Sequence, residues 1–214
     1  MTRPIRHPIA ARLFAREVGP IDERGAAEHR ARLLGGLAGR VLEIGAGTGI
    51  SFPDYPLTVS ELIAVEPEPY LRARAEQAAA AAPIPTVVIN AQAEHLPFDD
   101  ATFDAAVAAR VLCSVRNLAI TLEELHRVLR PGGELRFYEH VASAEPRYAR
   151  CQRALDLIWP HLAGGCHTSR DTAGAISDAG FTIDELDRFT FRPGILAAPT
   201  APYILGRARR GERR

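Results

Sequence analysis

The chain contains no lysine. All 26 of its basic residues are arginine, matched by 26 Asp and Glu, so the formal net charge is zero. A neutral balance supplies no electrostatic pull toward nucleic acid. The missing lysine, together with the heavy use of alanine, reads as a coding bias. Cysteine is scarce as well: Cys113, Cys151 and Cys166 lie far apart. They form no CxxC metal pair and no disulfide framework, which fits a reducing compartment and gives no reason to expect a metal. Long apolar runs are absent too. Nothing approaches the ~18–20 residues needed to cross a bilayer. The opening MTRPIRHPIAARLFAREVG is studded with arginine and has no continuous apolar segment of the secretory kind. These absences predict a cytoplasmic chain without a membrane anchor.

What is present is an alternation. Apolar and alanine positions at helical spacing predict helices over 10–18 and 22–38. Strand-like runs follow at VLEI (41–44), LIAV (62–65), TVVIN (86–90), FDAAVA (103–108) and ELRFYE (134–139). Helix-like segments at 70–82 and 118–130 separate them, and Pro131-Gly132-Gly133 stops the second. Strand and helix in alternation predict an α/β fold, a mostly parallel sheet with helices on both faces. The last third changes character. Helices are expected over 146–163 and 168–179, then strands at 181–191 and 201–208 with no long helix between them. Such a pair is antiparallel at one edge. The terminal RARRGERR reads as a solvated basic tail. No repeat or linker divides the 214 residues, so one domain is expected.

The sharpest local signal is VLEIGAGTG. A buried strand runs into glycines at 45, 47 and 49, a loop whose backbone can turn sharply and let a ligand approach. Glu66, directly after the second strand, supplies the acid that meets ribose hydroxyls in nucleotide-binding sheets. A dinucleotide loop wants G-x-G-x-x-G, whereas the spacing here is G-x-G-x-G. Glu43 beside the loop is a poor neighbour for a phosphate and a good one for a cation. A phosphate-free nucleoside carrying an ammonium or sulfonium group suits both acids, and S-adenosylmethionine fits that description.

VLEIGAGTG, VEPEP, AEHLPFDDATFDAAV and RVLRPGGELRFYEH, in this order over about residues 35–140, resemble the motifs of class I S-adenosylmethionine-dependent methyltransferases, closest to the type 11 group. The resemblance implies a Rossmann-like seven-stranded sheet with its last strand antiparallel. It implies one methyltransferase domain, with 1–38 a helical lid, 39–140 the cofactor core, and 141–214 acceptor-pocket helices and edge strands. Glu43, Gly45, Ala46, Gly47 and Gly49 would line methionine and ribose. Glu66 would take the ribose hydroxyls and Pro67 would border the adenine. Gln92, Ala93 and Glu94 would meet the adenine edge, with Gln92 where family members often carry Asp. Ala109 and Arg110 would lie beside the methionine amine. The product would be S-adenosylhomocysteine.

The acceptor is read from other segments. The motif of base-amino methyltransferases is missing after strand four, where the chain has RVLCSV; a small molecule is expected instead of nucleic acid. LCSV, EHVA, WPHLAGGCHTSRDT and PYILGRA resemble the small thiol S-methyltransferases, whose N-terminal membrane anchor has no counterpart here. A thiol near pKa ~8.5 needs little base assistance. For a hydroxyl or amine acceptor, His140 at the carboxyl end of strand five is the candidate base, with Glu139 to orient it. Cys113, Trp159, His161 and His167 are candidates to reach the acceptor. Trp159 with Leu155, Ile158 and Leu162 also reads as a core stripe, and His126 reads as a surface residue. His7, His29 and His95 have no partner pattern. Two rivals stand beside methyl transfer: a dinucleotide-dependent oxidoreductase, and a domain that binds the cofactor without catalysis. The sequence leaves the oligomeric state undetermined.

Overall fold

In the computed structural model, which describes residues 8–211, apolar runs become the strands of one sheet. His7 and the last three residues of RARRGERR lie outside that range. Strands β1 (Gly39–Ile44), β2 (Val59–Val65), β3 (Thr86–Ile89), β4 (Phe103–Ala109), β5 (Leu129–His140), β6 (Phe181–Thr190) and β7 (Pro202–Arg210) pair in the order β3-β2-β1-β4-β5-β7-β6. β1 to β5 are parallel, and β7 runs antiparallel to both β5 and β6. This is the predicted α/β sheet with its antiparallel last strand.

The helices are α1 (Pro8–Ile21), α2 (Ala27–Leu34), α3 (Pro69–Ala79), α4 (Leu118–Val128), α5 (Pro146–Leu155), α6 (Trp159–Leu162) and α7 (Thr172–Asp178). Because strand side chains alternate, the sheet carries a core on each face. Leu42, Ile44 and Val65 pack with Leu122 and Leu125 of α4 and Ile176 of α7. Val41, Leu62 and Ala64 pack with Leu33 and Leu34 of α2 and Ala75 of α3. Local chemistry sets the helix starts. Glu68 Oε2 accepts from Leu71 N at 2.9 Å ahead of Pro69, and Asn117 Oδ1 accepts from Ile120 N at 3.1 Å.

Several expectations need correction. The helix expected to reach residue 38 ends at Leu34, and the one expected over 146–163 breaks after Leu155. Ile158 and Leu162 are 61% and 70% exposed, so that stripe is no core. His126 is buried, not superficial: β6 and the residue after β7 close over it, with Gly211 O at 3.2 Å from Nε2 and the Phe181 ring edge-on. The arginines at 207, 209 and 210 belong to β7. Arg207 pairs with Glu185 and Arg209 with Asp184, while Arg210 donates to Leu129 O. His29 has a partner after all, Tyr138 OH at 3.1 Å from its Nδ1.

Candidate active site

β1 and β4 are neighbours: from β1 the chain builds outward through β2 and β3, then crosses back to β4 and builds the other way to β5. Their carboxyl ends therefore open a crevice at the point where the strand order reverses, the usual ligand position in such sheets. A half-open cavity of about 210 Å³ lies there. Its walls are Gly45 and Gly47 after β1, Glu66, Pro67 and Glu68 after β2, and Ala91, Ala93 and Glu94 after β3. Arg110, Val111 and Ser114 follow β4, while Ala10, Ala11 and Phe14 of α1 and the turn Ala163-Gly164 cover the opening. A smaller cavity shares the glycine loop and Arg110 and adds Glu43, Ala46, Ala109 and Tyr138.

The loop needs its glycines for different reasons. Gly45, Gly47 and Gly49 all have positive φ, at 63°, 58° and 76°. A Cβ on Gly45 would come within 2.3 Å of Val111 Cγ2, and one on Gly47 within 3.0 Å of Phe14 Cε1. Gly49 differs: its Cβ would strike Phe52 and Ala78. It serves helix packing and is absent from the lining of either cavity.

Two buried acids flank the loop. Glu66 accepts from Gly47 N at 2.8 Å and from Glu68 N at 2.9 Å. Burial pushes its pKa up to about 7, against the pull of those N–H groups. Each of its oxygens keeps a lone pair for a further donor. Glu43 accepts from Ser51 Oγ at 2.9 Å and Tyr55 OH at 3.0 Å, and burial raises it to about 7 also. Glu94 Oε1 accepts from Arg116 N at 2.7 Å, so it braces the turn into α4 as well as lining the cavity. Gln92 stands just outside the lining, bridged to His95. Arg110 takes a positive φ of 56°, and its guanidinium lies 5.5 Å from the centre of the Phe14 ring. A cradle without side chains beside a buried acceptor acid suits S-adenosylmethionine: Gly45 and Gly47 leave room for it, and Glu66 has the lone pairs for vicinal hydroxyls.

The expected acid–base pair is not assembled. Glu139 turns away from His140, as neighbours on a strand must. Its Oε1 accepts from Val111 N at 2.8 Å and Leu112 N at 2.9 Å, and Oε2 lies 3.4 Å from Cys113 N. It is a clamp on the turn after β4. His140 is 4% exposed and lines neither cavity. Its Nε2 sits 3.1 Å from Cys166 Sγ, and Tyr203 packs edge-on against the ring. Cys113 belongs to the same cluster, and the Cys166 thiol donating to it holds its own thiol well below the ordinary range. Trp159 is half-buried, and its Nε1 makes no hydrogen bond among the described residues. His161 is exposed, and His167 is half-buried with its N–H donating to Cys113 O at 2.9 Å.

Sequence reasoning expected a lid from the N-terminal helices but singled out none of its residues, Phe14 least of all. Phe14 carried no motif, and only the folded path of the N-terminal helix brings it over the glycine loop. It also passed over Cys166, although the GGCHTSRDT stretch was in view.

Residues 42–137 match the family model described as "Methyltransferase domain". Thiol S-methyltransferase TMT1B of Rattus norvegicus is 33% identical over 183 residues, covering 78% of this chain and 69% of that protein. Its Mus musculus counterpart is 36% identical over 194 residues, covering 82% and 73%. Among solved structures, the N-methyltransferase NodS from Bradyrhizobium japonicum WM9 in complex with S-adenosyl-l-homocysteine superposes with a TM-score of 0.70. That likeness covers 95% of this chain and 99% of NodS at 18% identity, and it is one of fold. Similarity to curated relatives at this level over most of both chains makes the protein a member of the class I S-adenosylmethionine-dependent methyltransferases, with S-adenosylmethionine as its cofactor.

Proposed function

We propose that the protein methylates the thiol of a small, largely apolar molecule. The observation that carries this reading is the state of the acids in the cavity wall. Glu66, Glu68 and Glu94 each accept from backbone N–H groups and are held as braces or acceptors. His140, the expected base, is packed behind the wall. An acceptor that supplies its own anion suits such a site, and a thiol near pKa ~8.5 is partly thiolate at neutral pH. The curated relatives named thiol S-methyltransferases support the same choice.

In this reading Glu66 holds the ribose, Gly45 and Gly47 let backbone lie against the amino-acid part, and Ala91, Ala93 and Pro67 border the base. The cofactor supplies a methyl group already activated by its sulfonium. The chain's own task is alignment and exclusion of water. α1, through Ala10, Ala11 and Phe14, and the 163–164 turn perform it as a lid over the 39–140 core. Among the described residues no helix is long and apolar enough to cross a membrane, and the cysteines are unpaired; both support the cytoplasmic setting we assign.

The test is formation of S-adenosylhomocysteine by purified protein over a panel of alkyl and aryl thiols, phenols and amines. Turnover confined to thiols, rising with pH toward the thiol's own pKa, is expected. Preference for a phenol or an amine would overturn the thiol assignment. No turnover with any acceptor, despite cofactor binding, would favour a binding-only domain.

A further inference from the structure

The cluster behind the cavity wall holds more chemistry than the methyl transfer uses. Cys113 lies in the turn after β4, His140 ends β5, and Cys166 sits between α6 and α7. One ligand-capable atom of each lies within 4.8 Å of the other two. We propose that Cys113, His140 and Cys166 bind a zinc-class ion, a soft divalent metal, with one coordination position left open.

The ligand set fits. Two thiolates and an imidazole are the donors zinc takes, and three protein ligands with a vacant fourth position is a known arrangement for it. With metal–ligand bonds of about 2.0–2.3 Å, tetrahedral donors stand about 3.6–3.8 Å apart. The observed separations reach that spacing through side-chain adjustments well under the size of an atom. His140 Nε2 and Cys166 Sγ, now 3.1 Å apart, would part slightly as the metal replaces the proton between them.

The scaffold fits as well. The backbone carrying each donor is held independently of the donors themselves: His140 ends β5 in register with Tyr203, whose ring packs edge-on against the imidazole. Glu139 clamps the 111–113 backbone, and His167 N holds Cys113 O at 2.9 Å. Gly164 and Gly165 adopt positive φ of 62° and 91°, and a Cβ on Gly165 would lie 3.0 Å from Ser114 O. Only a turn without side chains brings Cys166 so close to Cys113. Preorganised donors from three segments are what a metal site needs.

Charge points the same way. Glu139 is fully buried and Arg170 donates to Leu112 O and Val115 O beside the cluster. A pair of buried thiolates would be left uncompensated, and a divalent cation makes the group neutral. Ligation here releases two thiol protons and involves no oxidation or reduction.

The probe is cobalt(II), with zinc(II) in competition, added to the full-length protein after chelation and reduction with a thiol-free phosphine. One ion per chain, with a thiolate-to-cobalt charge-transfer band that zinc abolishes, is expected. Cys113→Ser, His140→Ala and Cys166→Ser should each weaken binding by roughly 100-fold or more, since even changes behind a ligand cost 10–100-fold. Cys151→Ser, an exposed cysteine elsewhere, should bind like wild type. Should a variant fail to fold, X-ray absorption of the zinc-loaded wild type decides, with sulfur and nitrogen neighbours expected in a two-to-one ratio. Absence of the band, binding that survives loss of Cys113 or Cys166, or a Cys113–Cys166 disulfide persisting under the reductant would each overturn the proposal. None of these readouts depends on which acceptor is methylated.

Discussion

Glu66 concentrates most of what the site asks of a single residue. It is 5% exposed, is gripped by two backbone N–H groups, and is raised by burial from 4.5 to about 7. A carboxyl with a raised pKa keeps a proton in the folded state that the unfolded chain gives up. Its contribution therefore opposes stability increasingly as pH climbs from about 4.5 to 7. Ribose hydroxyls donate to the ionised form, so cofactor binding below pH 7 should expel that proton. Affinity for S-adenosylhomocysteine should accordingly rise with pH up to about 7 and level off above it. Calorimetry in buffers of different ionisation heat reads the released proton directly. Glu66→Ala should weaken binding by ~1–3 kcal/mol, the worth of hydrogen bonds to a charged acceptor, and Glu66→Gln should abolish the pH slope. Unchanged affinity in both folded variants would remove Glu66 from the ribose.

At the scale of elements, the least regular stretch depends on one acid. Asp156, just past α5, accepts from Thr168 N at 2.6 Å, Thr168 Oγ1 at 2.9 Å, Ser169 N at 3.1 Å and Ser169 Oγ at 2.6 Å. Its pKa is lowered: those four donors outweigh the burial that pulls the other way. The stabilisation is present above the unfolded carboxyl value and fades as pH falls through the lower folded one. Asp156→Ala should cost about 2 kcal/mol at neutral pH, or roughly 4–8 °C in Tm for a chain of this size. The difference from wild type should shrink in acid. A melting temperature equal to wild type at pH 7 would mean the turn is held by other contacts.

The same stretch shows where the sequence stops being legible. β1, β2 and β4 were readable because parallel strands buried on both faces become continuous apolar runs; VLEI and LIAV contain little else. Glu66 was readable because the acid follows its strand directly. The 146–179 region was not. Helical periodicity continued across Asp156, whose bonds to Thr168 and Ser169 join residues a dozen apart and leave no local pattern. Glu139 and His140 misled in another way. Both stand at the right end of β5, but alternation along the strand aims one at the turn after β4 and the other at Cys166. His126 went astray because its cover comes from β6 and the residue after β7.

For the whole molecule, the crevice joins elements from every part of the sheet's parallel half, with α1 laid over it. A ligand there ties together the ends of β1, β2, β3 and β4, and its binding energy adds to global stability. Anything that binds only the folded state stabilises it by RT ln(1 + [L]/Kd), about 2.7 kcal/mol at a hundredfold excess over Kd. At roughly 2–4 °C per kcal/mol for a chain of 150–250 residues, S-adenosylhomocysteine at that excess should raise Tm by about 5–11 °C. Nicotinamide dinucleotides should not. Their pyrophosphate would meet a G-x-G-x-G loop without the third-glycine spacing of dinucleotide sites, with the Glu43 carboxyl beside it. Because the shift is thermodynamic, it requires no knowledge of the acceptor. At the same ligand concentration it should shrink by about 1–2.4 kcal/mol's worth in Glu66→Ala and survive in full in Asp156→Ala, whose lower starting Tm leaves the cavity walls in place. A comparable shift with NADH, or equal loss of the shift in both variants, would show that the crevice is not the cofactor site drawn from β1 and β2.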